Sequence, residues 1–139
     1  MKHQRILGLA ALLMLLASCA TTSERLLESD SSQVELRSFQ TRAFDTTDKE
    51  TTLRTVIATL QDLGFVIDKA DLDLGSVTAT KLDNYALRMT VTVRPRGETQ
   101  LLVRANGQYE VKPIVEPEPY QKFFAALGKA MFLEAHEVE

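Results

Sequence analysis

Three kinds of side chain in this sequence could do chemistry: one thiol, a few carboxylates and a set of arginines. The thiol is Cys19, the only cysteine, and the only histidine after it is His136. A serine or cysteine nucleophile needs a base within hydrogen-bond reach. The chain has no G-x-S-x-G, and His136 stands at the end of a helical pattern, where a solvated role is expected. No catalytic residue is therefore expected, and the chain is read as not an enzyme. Asp71-x-Asp73-x-Gly75 resembles the start of a calcium loop, but Leu82 stands where the terminal glutamate of that loop belongs. Asp68, Asp71 and Asp73 are expected to serve turns, and neither a metal nor another cofactor is expected. Glycine-rich phosphate loops are absent. Arg88, Arg94 and Arg104 fall on one face of two strand patterns, with Arg96 at the nearby turn, and are the candidate partner-binding residues.

What surrounds Cys19 gives its chemistry. Lys2, His3 and Arg5 form a basic start, and the apolar run Ile6 to Ala17 follows. That run is about a dozen residues, within the range of a secretory signal and short of the ~20 that a spanning helix needs. Ala17 and Ser18 are small, as cleavage requires. Leu16-Ala17-Ser18-Cys19 resembles the lipobox of bacterial lipoproteins. The resemblance implies cleavage before Cys19, a diacylglycerol on its sulfur and acylation of the new amine. It implies a palmitate-type membrane anchor through Cys19. Ala20, rather than an aspartate, follows the cysteine, which by the enteric rule favours the outer membrane, with the domain facing the periplasm. Several acyl chains anchor stably where one does not.

Residues 1–18 are thus read as a lipoprotein signal peptide, 19–34 as the lipidated cysteine and a polar tether, and 35–139 as one periplasmic domain. Removing Lys2 and Arg5 leaves 14 basic against 19 acidic residues, a net charge of −5. Nucleic acid rewards clustered positive charge, so it is not an expected partner. With Cys19 lipidated no disulfide is available, and an apolar core must hold the fold. The tether is rich in Ser, Thr and charge.

Leu36 to Phe44 reads as a strand. Thr47 and Glu50 read as a capping box for a helix whose apolar face is Leu53, Val56, Ile57, Leu60 and Leu63. Gly64 is placed to close that helix, with Phe65 packing back on Leu60. Strands follow over Phe65–Ala70, Ser76–Leu82, Tyr85–Val93 and Thr99–Asn106, with turns at residues 71–75, 83–84 and 94–97. In the last of these, Pro95 and Gly97 fit a type I turn. Residues 107–115 are expected to continue the final strand after a bulge. Pro117 and Pro119 announce a second helix, with Tyr120, Phe123, Phe124, Leu127 and Met131 on its apolar face. Gly128 interrupts that helix, and close packing on the sheet is the expected reason. Tyr85, Tyr109 and Tyr120 show no suggestive partners. Phe44, Leu102 and Phe132 are expected outside the core.

The order β-α-β-β-β-β-α predicts an α+β fold: a two-layer sandwich, with an antiparallel sheet of four or five strands and two helices on one face. That pattern resembles the helix-grip domains of the lipoprotein C subunit of the β-barrel assembly machinery. "FDTTDKE", "LQDLGFVID", "TATK" and "FLEAH" resemble a family of small, poorly characterised Gram-negative outer-membrane lipoproteins. Some members of that family carry a longer Gly/Ala-rich insertion where this chain has only Asp83 and Asn84.

Two functions are expected from these features. The first is a non-catalytic binding or adaptor module in envelope assembly or transport, with an envelope protein as partner. The alternative is a periplasmic carrier holding an apolar ligand between helices and sheet. An enclosed cavity lined by Phe123, Phe124, Leu127 and Val91 would favour the carrier; a packed interior beneath an exposed basic or apolar patch would favour the adaptor.

The lipobox makes the first prediction. Mass spectrometry of protein from native membranes is expected to find Cys19 acylated and N-terminal. An intact Met1 or an unmodified thiol would contradict it.

Overall fold

A computed structural model describes residues 32–136 apart from residue 84, so Cys19, the signal segment and most of the tether lie outside the described residues. Along the chain run helix α1 (residues 32–40), strand β1 (Thr41–Phe44) and helix α2 (Lys49–Asp62). Strands β2 (Val66–Asp71), β3 (Ser76–Asp83), β4 (Tyr85–Arg96), β5 (Gln100–Tyr109) and β6 (Lys112–Pro113) follow, and helix α3 (Glu118–His136) closes the order. The sheet is antiparallel in the order β1-β5-β4-β3-β2, and β6 also pairs with β5. β1 takes residues 101–104 of β5 and β6 takes residues 108 and 109, so the two short strands share one edge.

Period-two alternation assigns the two faces of this sheet. Val77, Ala79, Met89, Val91, Val93, Leu101, Val103 and Ala105 point one way and are fully or almost fully buried. Onto them pack Leu53, Val56 and Leu60 of α2 and Tyr120, Phe123, Phe124 and Leu127 of α3, in one apolar cluster. The result is the two-layer α+β sandwich, its helices on one face of the sheet.

The Leu60–Phe65 break forms as its residues dictate. Gly64 takes φ +85°. Its N–H donates to the Gln61 carbonyl, and the Phe65 N–H reaches the Leu60 carbonyl, both at 2.9 Å. This is the paired hydrogen bonding of a Schellman end. Lys81 Nζ, reaching over from β3, donates to the Leu63 carbonyl at 3.0 Å.

Several expectations are corrected. Residues 36–40 are helical rather than extended: Leu36, Phe39 and Gln40, at i, i+3 and i+4, turn toward the core. Arg42 Nη1 then donates to the Ser38 and Thr41 carbonyls at 2.7 and 3.0 Å, satisfying groups that a helix end leaves open. The α2 cap is Asp48, not Thr47. Asp48 Oδ1 accepts the Thr51 N–H at 2.9 Å and Oδ2 the Thr51 hydroxyl at 2.7 Å. A carboxylate here also meets the positive end of the helix dipole, which a threonine does not. The Thr51 N–H and hydroxyl hold the Asp48 carboxyl below its ordinary range. The cap is therefore fully formed above that range and is lost as pH falls through the lowered value.

Pro95 is not a turn residue. It pairs with Leu101 inside β4, and the strand runs on to Arg96 opposite Gln100. The Val93 N–H donates toward the β3 side, to the Gly75 carbonyl at 2.8 Å. Pro95, two residues on, aims its missing N–H the same way, beyond the start of β3, so no ladder bond is lost. Residues 107–109 continue β5 as expected, in unbroken register with β4 and without a bulge, but residues 110–115 do not: the chain turns at Glu110, with φ 52°, and returns as β6. Gly128 has no neighbour within 4 Å of where a Cβ would stand, so close packing does not explain it.

Tyr120 has partners that its sequence neighbourhood gives no hint of. Its hydroxyl is buried and donates to the Ile114 carbonyl at 2.8 Å. It accepts the Gly107 N–H at 3.1 Å and the Gln40 amide at 3.2 Å. One donor and two acceptor sites are all that a hydroxyl has. Gly107 is a glycine for the same reason: a Cβ there would stand 2.9 Å from Ile114 Cδ1 and 3.4 Å from the Tyr120 hydroxyl.

Two substitutions of opposite sign follow. Tyr120→Phe leaves a buried N–H and a buried carbonyl without their partner, and should lower stability by about 1–3 kcal/mol. Gly128→Ala should raise it by about 0.5–1 kcal/mol. Shifts of the urea midpoint in those two directions check both.

Candidate functional site

The other face of the sheet carries the sequence-nominated arginines. Lys69, Thr78, Thr80, Arg88, Thr90, Thr92, Arg94, Leu102, Arg104 and Asn106 are half-buried or exposed, in contrast to the buried alternate positions. Among the described residues no element packs over them. Thr78 and Thr90, directly opposite, bring their hydroxyls to 3.3 Å, and Thr80 donates to Asp68 Oδ2 at 2.6 Å.

Register places the arginines unequally. Arg104 is opposite Thr92 and Arg94 is opposite Leu102, so the two are diagonal neighbours on adjacent strands, about 7–8 Å apart. Arg96, two residues beyond Arg94 on the same face, joins them. Arg88 is opposite Gln108. It lies six residues from Arg94 along β4, about 20 Å at the rise of an extended strand. The structure thus brings Arg94 and Arg104 together, adds Arg96 and sets Arg88 apart. Arg96 was missed as a member because Pro95 suggested a turn, whereas the even-numbered register continues through it. The exposed ion pairs Arg54–Glu50 and Lys122–Glu118 lie on α2 and α3, and neither involves this face.

The aspartates serve turns and edges. Asp71 Oδ1 accepts the Leu74 N–H at 2.8 Å, and the Asp73 carbonyl accepts Lys49 Nζ at 2.8 Å. No group of three His, Cys, Asp or Glu side chains converges among the described residues. His136 is the last residue of α3. Phe44 is half-buried and packs against the core, and Leu102 lies half-buried on the arginine face. Phe132 is 63% exposed.

On the helix side the structure shows a feature that the sequence reading did not locate. Past the C-terminal end of α2 and the first turn of α3, the sheet extends beyond its helical cover. A cleft of 230 Å³ opens there. Leu63, Phe65, Leu87, Met89 and Phe123 supply its apolar lining. Lys81, Tyr109, Glu118 and Lys122 supply its polar groups. Glu118 and Lys122 are paired at 2.8 Å, which holds the Glu118 carboxyl below its ordinary range and the Lys122 ammonium above its own. Of the four residues named for an enclosed cavity, Phe123 forms part of the floor of this cleft, and like Val91 and Leu127 it is fully buried in the core. Phe124 lies elsewhere, with its ring 5.4 Å from the Arg42 guanidinium carbon, a cation–π contact.

No protein-family model matches the chain, and no curated protein matches it. The lipoprotein likeness rests on the residues quoted for it.

Proposed function

We propose that this chain is a lipid-anchored, non-catalytic binding module that faces the periplasm from the outer membrane and acts as an adaptor in envelope assembly or transport. Cys19 supplies the anchor. The observation that carries the adaptor role is the division of the sheet into a packed face and an uncovered one. Apolar residues are consumed on the helix side, and Arg94, Arg96 and Arg104 are gathered on the other side of an otherwise acidic chain. A local basic patch on an acidic protein steers an acidic partner toward one surface. The partner's chemistry is that of a carboxylate-rich envelope protein.

A second reading is favoured by the cleft over Leu63, Phe65, Leu87, Met89 and Phe123: a carrier for an apolar ligand between helices and sheet. The two readings use opposite sides of the sheet and are independent.

Reversing Arg94, Arg96 and Arg104 together to Glu tests the adaptor. Recovery of crosslinked envelope proteins is expected to fall by about tenfold or more, the scale of electrostatic steering. The thermal midpoint and the membrane fraction should stay unchanged, and a high-salt wash of the wild type should reproduce the loss. Unaltered recovery in both experiments would remove the basic face from the account.

A further inference from the structure

Lys81 is out of keeping with its register. Along β3 the inward positions read Val77, Ala79, Lys81, and the first two are fully buried. Lys81 is half-buried, opposite Leu87, and its carbon stem passes under the α2 C-terminus, 3.5 Å from the place where a Gly64 Cβ would stand. Its ammonium donates to the Leu63 carbonyl and has two further N–H groups to give. Lys122 stands on the same cleft with Glu118. At neutral pH the charges on the cleft are two ammonium groups and one carboxylate, a net of +1. Glu118 is already engaged, so the unmatched charge belongs to Lys81.

We propose that this cleft binds the end of a single-chain anionic amphiphile, its tail against the partly exposed Leu63 and Leu87 over the buried floor of Phe65, Met89 and Phe123, and its acidic head at Lys81. The proposal rests on the carrier reading and names its ligand class. Size selects one tail rather than two. The cleft offers about 230 Å³ of space, room for one short chain. Most sites for larger ligands occupy about 300–1,000 Å³. Tyr85, two residues before Leu87 on the same face of β4, is 67% exposed beyond the sheet's covered part and extends the apolar shelf outward. Charge selects the head. A cationic head would meet Lys81 unopposed and compete with Lys122 for Glu118, whereas a carboxylate or phosphate finds two free Lys81 donors. Either acidic head has this chemistry, and the test distinguishes a fatty acid from a phosphate-bearing lipid.

The experiment uses the full chain with Cys19→Ser, so that no covalent lipid competes, and reads methyl chemical shifts of Leu63, Leu87 and Met89. The probes are octanoate, octyl phosphate, octanol and octylammonium, which share a tail and differ in the head. The expected result is saturable shifts at these methyls with octanoate and octyl phosphate, and binding of octanol and octylammonium at least tenfold weaker. Whichever acid binds tighter assigns the source. Shortening octanoate by one methylene should weaken binding about fourfold. As the tail is lengthened, the gain per carbon should fall below that once the cleft is filled. Lys81→Gln should bring octanoate to the level of octanol. Since Lys81 also caps the α2 end, the exposed Lys122→Gln provides a variant that leaves the fold intact and should weaken octanoate relative to octanol. If all four probes bind alike, the anionic head is overturned and the carrier reading survives. If none moves these methyls, both fall.

Discussion

The hydroxyl of Tyr120 is the point through which separate parts of the chain are tied together. It holds Gln40 at the end of α1, Gly107 in β5 and Ile114 on the approach to α3. Gln40 and Ile114 lie where backbone direction changes, and Gly107 lies within β5, opposite Met89. Gly107 and Ile114 are also joined to each other, the Ile114 N–H donating to the Gly107 carbonyl at 2.9 Å. Aromatic ring and hydroxyl act together: the ring fills the core beside Phe123, and the hydroxyl satisfies backbone groups that burial would otherwise leave open. The turn after β5, the short β6 and the entry angle of α3 follow from that arrangement. So does the position of the cleft, because the first turn of α3 supplies Glu118, Pro119 and Lys122 to it.

The same constraint explains why function is assigned to the far side of the sheet and to its end. α2 and α3 cover the central part of one face, and the residues beneath them are closed to solvent. What is left is the opposite face, rich in Thr and Arg, and the strip beyond the α2 C-terminus. Antiparallel sheets tolerate this one-sided covering, since polar side chains solvate the open face. The edges are blunted: β1 and β6 are short, and β2 carries Asp68 at an irregularity between Ile67 and Lys69. Charges and irregularities of this kind discourage edge-to-edge pairing. The open side chains of the face, rather than an unpaired strand edge, are thus the natural surface for a partner.

Features that depend on neighbours in sequence were legible before the structure. The end of α2 at Gly64, the β4 alternation and the apolar faces of α2 and α3 all follow from local spacing, and each forms as expected. Long-range features were not legible. Gln40 and Tyr120 are 80 residues apart, and nothing local pairs them. One signal was present and unused: a glycine within a strand pattern, at position 107, marks close approach by another group. Competing local rules produced the other differences. Pro95 and Gly97 satisfy a turn pattern, but β3 begins only at Ser76, opposite Thr92, so proline can remain in the strand beyond it. Thr47 and Asp48 are both good caps, and the carboxylate prevails. Leu36 to Gln40 fits either period, and the helix is the one that turns Leu36, Phe39 and Gln40 inward together. The arginines were placed on the correct face, but their grouping depends on register, which only strand pairing fixes. The cleft draws on the ends of several elements, and Lys81 on an inward position was its one trace in the sequence.

The central claim is that the open sheet face is a contact surface. Site-specific photocrosslinking in intact cells tests it most directly, with a photoreactive residue placed in turn at Arg104 and Asn106 on the sheet face and at Arg54 and Lys129 on the helices, all exposed. The account predicts a discrete crosslinked species from the two sheet positions and none from the two helix positions. Crosslinks from the helix positions alone, or from all four alike, would contradict it.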